Sequence, residues 1–185
     1  MDHPAGGFAS SLAAATWVLI LPLTRALPDA GLGLAPATGW LVLSWLMWIG
    51  SELGAWSTGA RTASMLFLSL LTVGGAVAIR RRSQVADVLA RRRPAITRVV
   101  AVAGAVWLLF LALRALNPAI FWGEKPMDFA FLNAFLRAPA WPTGEPWMAG
   151  MPLHYYYFGE VLASVPILIT GCSPGVGYNL ISATI

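Results

Sequence analysis

Apolar positions along this chain gather in long blocks rather than in the short periods of a soluble core. Phe8–Leu27, Gly39–Trp56, Thr62–Ile79 and Val99–Leu116 are each mostly apolar, over about the 20 residues that a bilayer-spanning helix requires. A fifth apolar segment runs from Tyr155 to Thr170, and a sixth begins near Val176. Turn clusters at Leu27–Gly33 and Trp56–Gly59 separate the first three blocks. Between the fourth and fifth lies a polar stretch rich in Pro and Trp, residues 117–152. Within it Pro126 suits the start of a helix, where its missing N–H is no loss. A short helix from Pro126 to about Arg137, stopped by Pro139, follows. The pattern therefore predicts an all-α fold, a polytopic transmembrane helix bundle of about five to six helices. One outer loop carries a short amphipathic helix.

Composition agrees. The chain is 58% hydrophobic and 11% charged, with a mean hydropathy of +0.70; soluble domains carry about 25% charged residues. The net charge of +4 does not indicate nucleic acid. Arg80, Arg81, Arg82, Arg91, Arg92, Arg93 and Arg98 stand close together, which is a topology signal. Short Lys/Arg-rich segments stay cytoplasmic, so residues 80–98 are expected as an inner loop. The 117–152 loop is then extracytoplasmic in a multi-pass plasma-membrane protein, and the N-terminus is outside as well. Arg25, at the inner end of the first helix, agrees. The basic loop also has the chemistry to touch acidic lipid headgroups.

Cys172 is alone, so the chain holds no internal disulfide. One Cys and two His, with His3 in a tail, do not close a zinc site. Met1-Asp2-His3-Pro4 lacks the cationic start of a cleavable signal peptide. The apolar run from Val176 to Ile185 ends without a cap or charge, so the sequence is expected to be the front of a longer protein.

Chemistry concentrates in the outer loop and just after it. On a helix at about 100° per residue, Asp128 shares a face with Phe131, Leu132 and Phe135. Partial desolvation there raises a carboxylate's basicity, which suits a general base; an acid in a first helical turn is also favoured by the helix dipole alone. Glu124, four residues earlier, is a second acid, a metal ligand or a solvated charge. Lys125, the one lysine, either neutralises these acids or binds phosphate as a point charge, and Arg137 offers a bidentate fork. Trp122, Trp141 and Trp147 fit an interfacial belt. His154, beside an acidic site, is a candidate for phosphate or metal. It leads into Tyr155-Tyr156-Tyr157-Phe158-Gly159, and three successive helical residues span about 200°, so at least one hydroxyl faces protein. Glu160 and Glu52, inside hydrophobic segments, are ionisable groups of the kind that mark function.

The strings Glu124-Lys125-Pro126-Met127-Asp128-Phe129-Ala130-Phe131-Leu132-Asn133-Ala134, Pro146-Trp147 and Tyr155-Tyr156-Tyr157-Phe158-Gly159 resemble a family of large, uncharacterised polytopic membrane proteins named for the triple-tyrosine motif. Leu21–Arg25 and Leu27–Gly31 resemble the opening of that family. Its members are similar to the GT-C membrane glycosyltransferases. The resemblance implies a sugar donor on a polyprenyl phosphate and catalysis by an acid in the first large outer loop. Asp128 is the best match and Glu124 the second. Lys125, Arg137, His154, Tyr155, Tyr156 and Tyr157 would bind substrate. The Glu-x-x-x-Asp spacing departs from the usual acid pairs, which leaves open whether Asp128 and Glu124 hold a divalent cation, Mg or Mn. Residues 1–79 would form an N-terminal three-helix segment, 80–98 the basic loop and 99–185 the beginning of a GT-C-like core. The competing expectation is a non-enzymatic membrane protein, a transporter component or scaffold, whose partners are membrane lipid alone.

Overall fold

The computed structural model describes residues 4–184; His3 and the tail expected around it lie outside the described residues. The fold is all-α. Among the described residues there are seven helices: α1 Pro4–Thr24, α2 Ala35–Glu52, α3 Ala60–Arg80, α4 Arg82–Leu116, α5 Lys125–Arg137, α6 Phe158–Thr170 and α7 Pro174–Ser182. Three of them, α1, α3 and α4, are long and apolar enough to cross a membrane. The second expected span falls short on composition, because Thr38, Ser44, Ser51, Glu52 and three tryptophans dilute α2.

Two further expectations are corrected. The arginine-rich stretch is helical, continuous with the apolar half of α4. Arg, Ala and Leu are strong helix formers, and Pro94 is accommodated inside the helix. At 35 residues, α4 is about 52 Å long, well beyond a hydrocarbon core of about 30 Å. The fifth segment also starts later than expected. Tyr155 and Tyr156 precede α6, and Tyr157 is its N-cap, so the triplet is not wound on a helix. At 13 residues and about 20 Å, α6 is too short to span a bilayer.

Packing divides the chain into two compact units, Met1–Val42 with Phe67–Leu109, and Leu43–Leu66 with Phe110–Ile185. In the first, Trp17, Val18 and Leu21 of α1 bury against Ala30 and Ala35, with Val77, Ala78, Val85 and Val88 packed on them. The turn between α1 and α2 is held by Asp29, whose carboxylate accepts the Gly31 amide at 3.1 Å and the Gly33 amide at 2.7 Å. Burial would raise the Asp29 pKa, but these amides and then Arg92 outweigh it, and the net shift is downward. Gly31 sits at φ +82°, a conformation that glycine tolerates. A Cβ there would also strike Thr24.

The second unit holds the loop of residues 117–152. Its anchor is Trp141, 2% exposed. The indole Nε1 donates to Phe135 O at 3.0 Å, and the backbone N–H donates to Ser51 Oγ at 2.8 Å. Thr58 adds a bond from its amide to Pro139 O at 2.9 Å and one from its hydroxyl to Ala138 O. The end of α2 and the turn after it thereby fix where α5 finishes. Helices α5, α6 and α7 pack on one another, with Leu132, Ala163 and Ile167 at the centre of their contact.

Candidate functional site

Asp128 lies in the first turn of α5. Phe131, Leu132 and Phe135 on the same helix are buried, as the periodicity predicts, and Asp128 is half-buried beside them. Its carboxyl is raised above the usual aspartate value, first by burial and then by the Glu124 carboxylate. Glu124 is the helix N-cap residue and is exposed; its side chain makes no capping bond.

The first turn of α6 brings a second carboxyl to this place. Glu160 is pushed up to about 7, by burial first and by Asp128 second. Asp128 thus acts on Glu160, while burial and Glu124 raise Asp128 itself. The sequence marks Glu160 as an ionisable group in an apolar segment but gives no hint that Asp128 acts on it, because that depends on α6 packing against α5.

The triplet divides into three different environments. Tyr155 is 39% exposed, with its ring 5.4 Å from Phe131 and 4.7 Å from Tyr156. Its hydroxyl is raised by burial and then by Glu124, Tyr156, Asp128 and Glu160. All three acids therefore act on one phenol. Tyr156 is 88% exposed. Tyr157 is turned inward: it stacks on Phe135 at 5.4 Å, accepts a hydrogen bond from Trp48 Nε1 at 3.3 Å and donates to Glu52 Oε1 at 2.9 Å. Leu153, His154 and the three tyrosines line an open cavity of about 560 Å³.

The remaining expected residues do not all converge. His154 is exposed on the cavity wall. Lys125 is half-buried at the start of α5. Arg137 is exposed in the last turn of α5, about 14 Å along the helix from Asp128 at 1.5 Å per residue, and so stands apart from the acids. Among the described residues, no group of three or more His, Cys, Asp or Glu side chains is arranged to hold a metal ion.

Two residues outside the expected set border the acids. Tyr178 of α7 meets Phe129 edge-on at 5.7 Å, and its hydroxyl is raised by burial and by Asp128, lowered by Arg114, and raised by Glu160. The Arg114 guanidinium, in the last turn of α4, lies 5.8 Å from the Tyr178 ring centre.

A family model described as an uncharacterised membrane protein, DUF2298, matches residues 42–185. The chain belongs to this family. The DUF2298 match takes in α3 to α7 and with them the 117–152 loop, the acids and the tyrosine triplet. No curated protein and no solved structure matches the chain.

Proposed function

We propose that this DUF2298 protein is a membrane glycosyltransferase that moves a sugar from a polyprenyl phosphate to an acceptor hydroxyl. The observation that carries the reading is the Asp128–Glu160 pair: two partly dry carboxyls from different helices, Asp128 raised by burial and Glu124, Glu160 raised by burial and Asp128, both acting on the Tyr155 phenol. A general base works best with a pKa near the working pH, and this pair supplies one.

In the proposed step Asp128, the less buried acid, takes the proton of the acceptor hydroxyl. The acceptor oxygen forms its bond to the anomeric carbon as the bond from that carbon to the phosphate oxygen breaks. Polyprenyl phosphate leaves with the bonding pair. Burial first and the Glu124 carboxylate second keep Asp128 basic. The exposed faces of Tyr155 and Tyr156 suit stacking on a sugar. Exposed Trp122 and Trp147 suit the headgroup layer. The reading places the protein in the plasma membrane with residues 117–152 on the outer side, in keeping with the arginines at the start of α4.

The test is incubation of the full-length purified protein with a polyprenyl-phosphate sugar and hydroxyl acceptors, following transfer or hydrolysis of the sugar. Transfer that Asp128→Asn abolishes without loss of expression is the expected result. Transfer at the unmodified rate by the Asp128→Asn protein removes the mechanism.

A further inference from the structure

Arg114 makes one hydrogen bond with its guanidinium, from Nη1 to Asn117 O at 3.0 Å. Its Nε and Nη2 are buried and have no partner. These two N–H groups form one edge of the guanidinium, the fork that grips two oxygens of a phosphate or carboxylate at once. Leaving charged donors buried and unpaired is costly, so the edge calls for an acceptor.

A second orphan stands close by. Asn179 of α7 donates through Nδ2 to Pro118 O at 3.2 Å and Gly175 O at 2.9 Å, which fixes the orientation of its amide. Its Oδ1 is buried and unpaired. Arg114 and Asn179 fasten adjacent carbonyls, Asn117 and Pro118, so the orphan donors and the orphan acceptor border the same turn. A phosphate ester answers both: its oxygens accept from the fork, and a P–OH or a neighbouring sugar hydroxyl donates to Asn179.

The location favours a phosphate carried on a lipid. The turns of α4 leading to Arg114 expose Leu108, Leu109, Phe110 and Leu113, each more than half exposed, and Leu116 is 84% exposed. The guanidinium thus stands near the end of a helix long and apolar enough to cross a membrane, with the Tyr178 ring beneath it. The acids that act on Tyr178 carry the chemistry, and Arg114 acts on the same residue without figuring among the causes that shift either carboxyl.

We propose that the Arg114 fork, with Asn179 beside it, is the site that holds the phosphate of a lipid-linked ligand. This rests on the transferase reading for its role, the leaving phosphate, but its chemistry is separable from it. It gives to Arg114 the phosphate contact that the sequence suggested for Lys125, Arg137 or His154.

The experiment measures binding of farnesyl phosphate, farnesol and inorganic phosphate to the full-length protein in detergent, by thermal shift and by titration. Farnesyl phosphate is expected to stabilise the protein, and farnesol is not. Arg114→Gln weakens farnesyl phosphate by roughly tenfold or more, as loss of a charge-assisted pair should. Arg114→Lys keeps the charge and the fold but not the fork, and weakens it by about fivefold. Inorganic phosphate that binds as tightly as farnesyl phosphate overturns the lipid assignment. Unchanged farnesyl phosphate affinity in both Arg114 variants overturns the site, and Arg114 then closes on Asn179 instead, so that Arg114→Gln and Asn179→Ala destabilise alike. Binding through Arg114 by a protein that moves no sugar overturns the transfer reading and leaves this site standing.

Discussion

Tyr157 and Glu52 are joined by a 2.9 Å hydrogen bond across 105 positions of sequence. The bond fastens the last tyrosine of the triplet to the end of α2, while Trp48 one turn earlier donates to the same phenol. The neighbours of Tyr157 remain free to face the cavity because this residue is held. Tyr157→Phe keeps the stack on Phe135 and loses the hydroxyl. It is expected to cost about 1–2 kcal/mol, the net worth of the two hydrogen bonds that the hydroxyl makes. Glu52→Gln should cost less, since an amide can still accept. A double-mutant cycle by thermal denaturation in detergent checks this; additive single effects would show that the bond contributes nothing.

Glu160 makes stability depend on pH. In the folded protein its carboxyl keeps a proton to about pH 7, and the ordinary value is 4.5. The folded state therefore binds more protons than the unfolded chain between those values, and stability falls as pH rises through the window. Below it both states are protonated and the contribution is fully present. The thermal midpoint of the full-length protein should drop between about pH 4.5 and 7. In Glu160→Gln the slope over that window should flatten. An unaltered slope in the variant would place the titration elsewhere.

Local features were legible in the sequence, and meetings between distant segments were not. Pro126 and the spacing of Phe131, Leu132 and Phe135 announce α5 and the half-dry placement of Asp128, because helical period and proline geometry act over a few residues. Glu160 carries no such mark of its partner, and neither does the pairing of Tyr157 with Glu52 or of Arg114 with Tyr178. Each depends on which helices pack, and composition does not encode that. The arginines between Arg80 and Arg98 suggested a loop because charge interrupts an apolar run. Charge ends the membrane-compatible stretch without ending the helix, and α4 continues through it. The tyrosines misled in the opposite direction: adjacency to an apolar run suggested helix, yet the chain turns at Tyr157 before α6 begins.

Trp141 is a structural residue rather than an interfacial one. It is 2% exposed, rests 5.7 Å from Phe135 and bonds to Phe135 O and to Ser51. Trp141→Ala removes a buried aromatic and should cost about 3–5 kcal/mol. Trp141→Phe keeps part of the packing and loses the Nε1 bond, with a smaller loss. Limited proteolysis should then cut the 117–152 loop of Trp141→Ala first, because the indole that ties it to Phe135 is gone. Trp147, 63% exposed, has no such role, and Trp147→Ala should leave the thermal midpoint within about 0.5 kcal/mol of the unmodified protein.

The acids around Asp128 set the expected rate profile. Burial first and the Glu124 carboxylate second raise Asp128 above the usual aspartate value. Sugar transfer should therefore climb along a limb set by Asp128. Glu124→Gln removes the charged neighbour, so that limb should move to lower pH and the plateau should fall. Glu160 is pushed up to about 7 by burial and then by Asp128, and a limb near pH 7 that Glu160→Gln removes would report its proton. Asp128→Asn should lose transfer at every pH. A limb near 7 that survives Glu160→Gln would separate the two carboxyls and leave Asp128 to act alone.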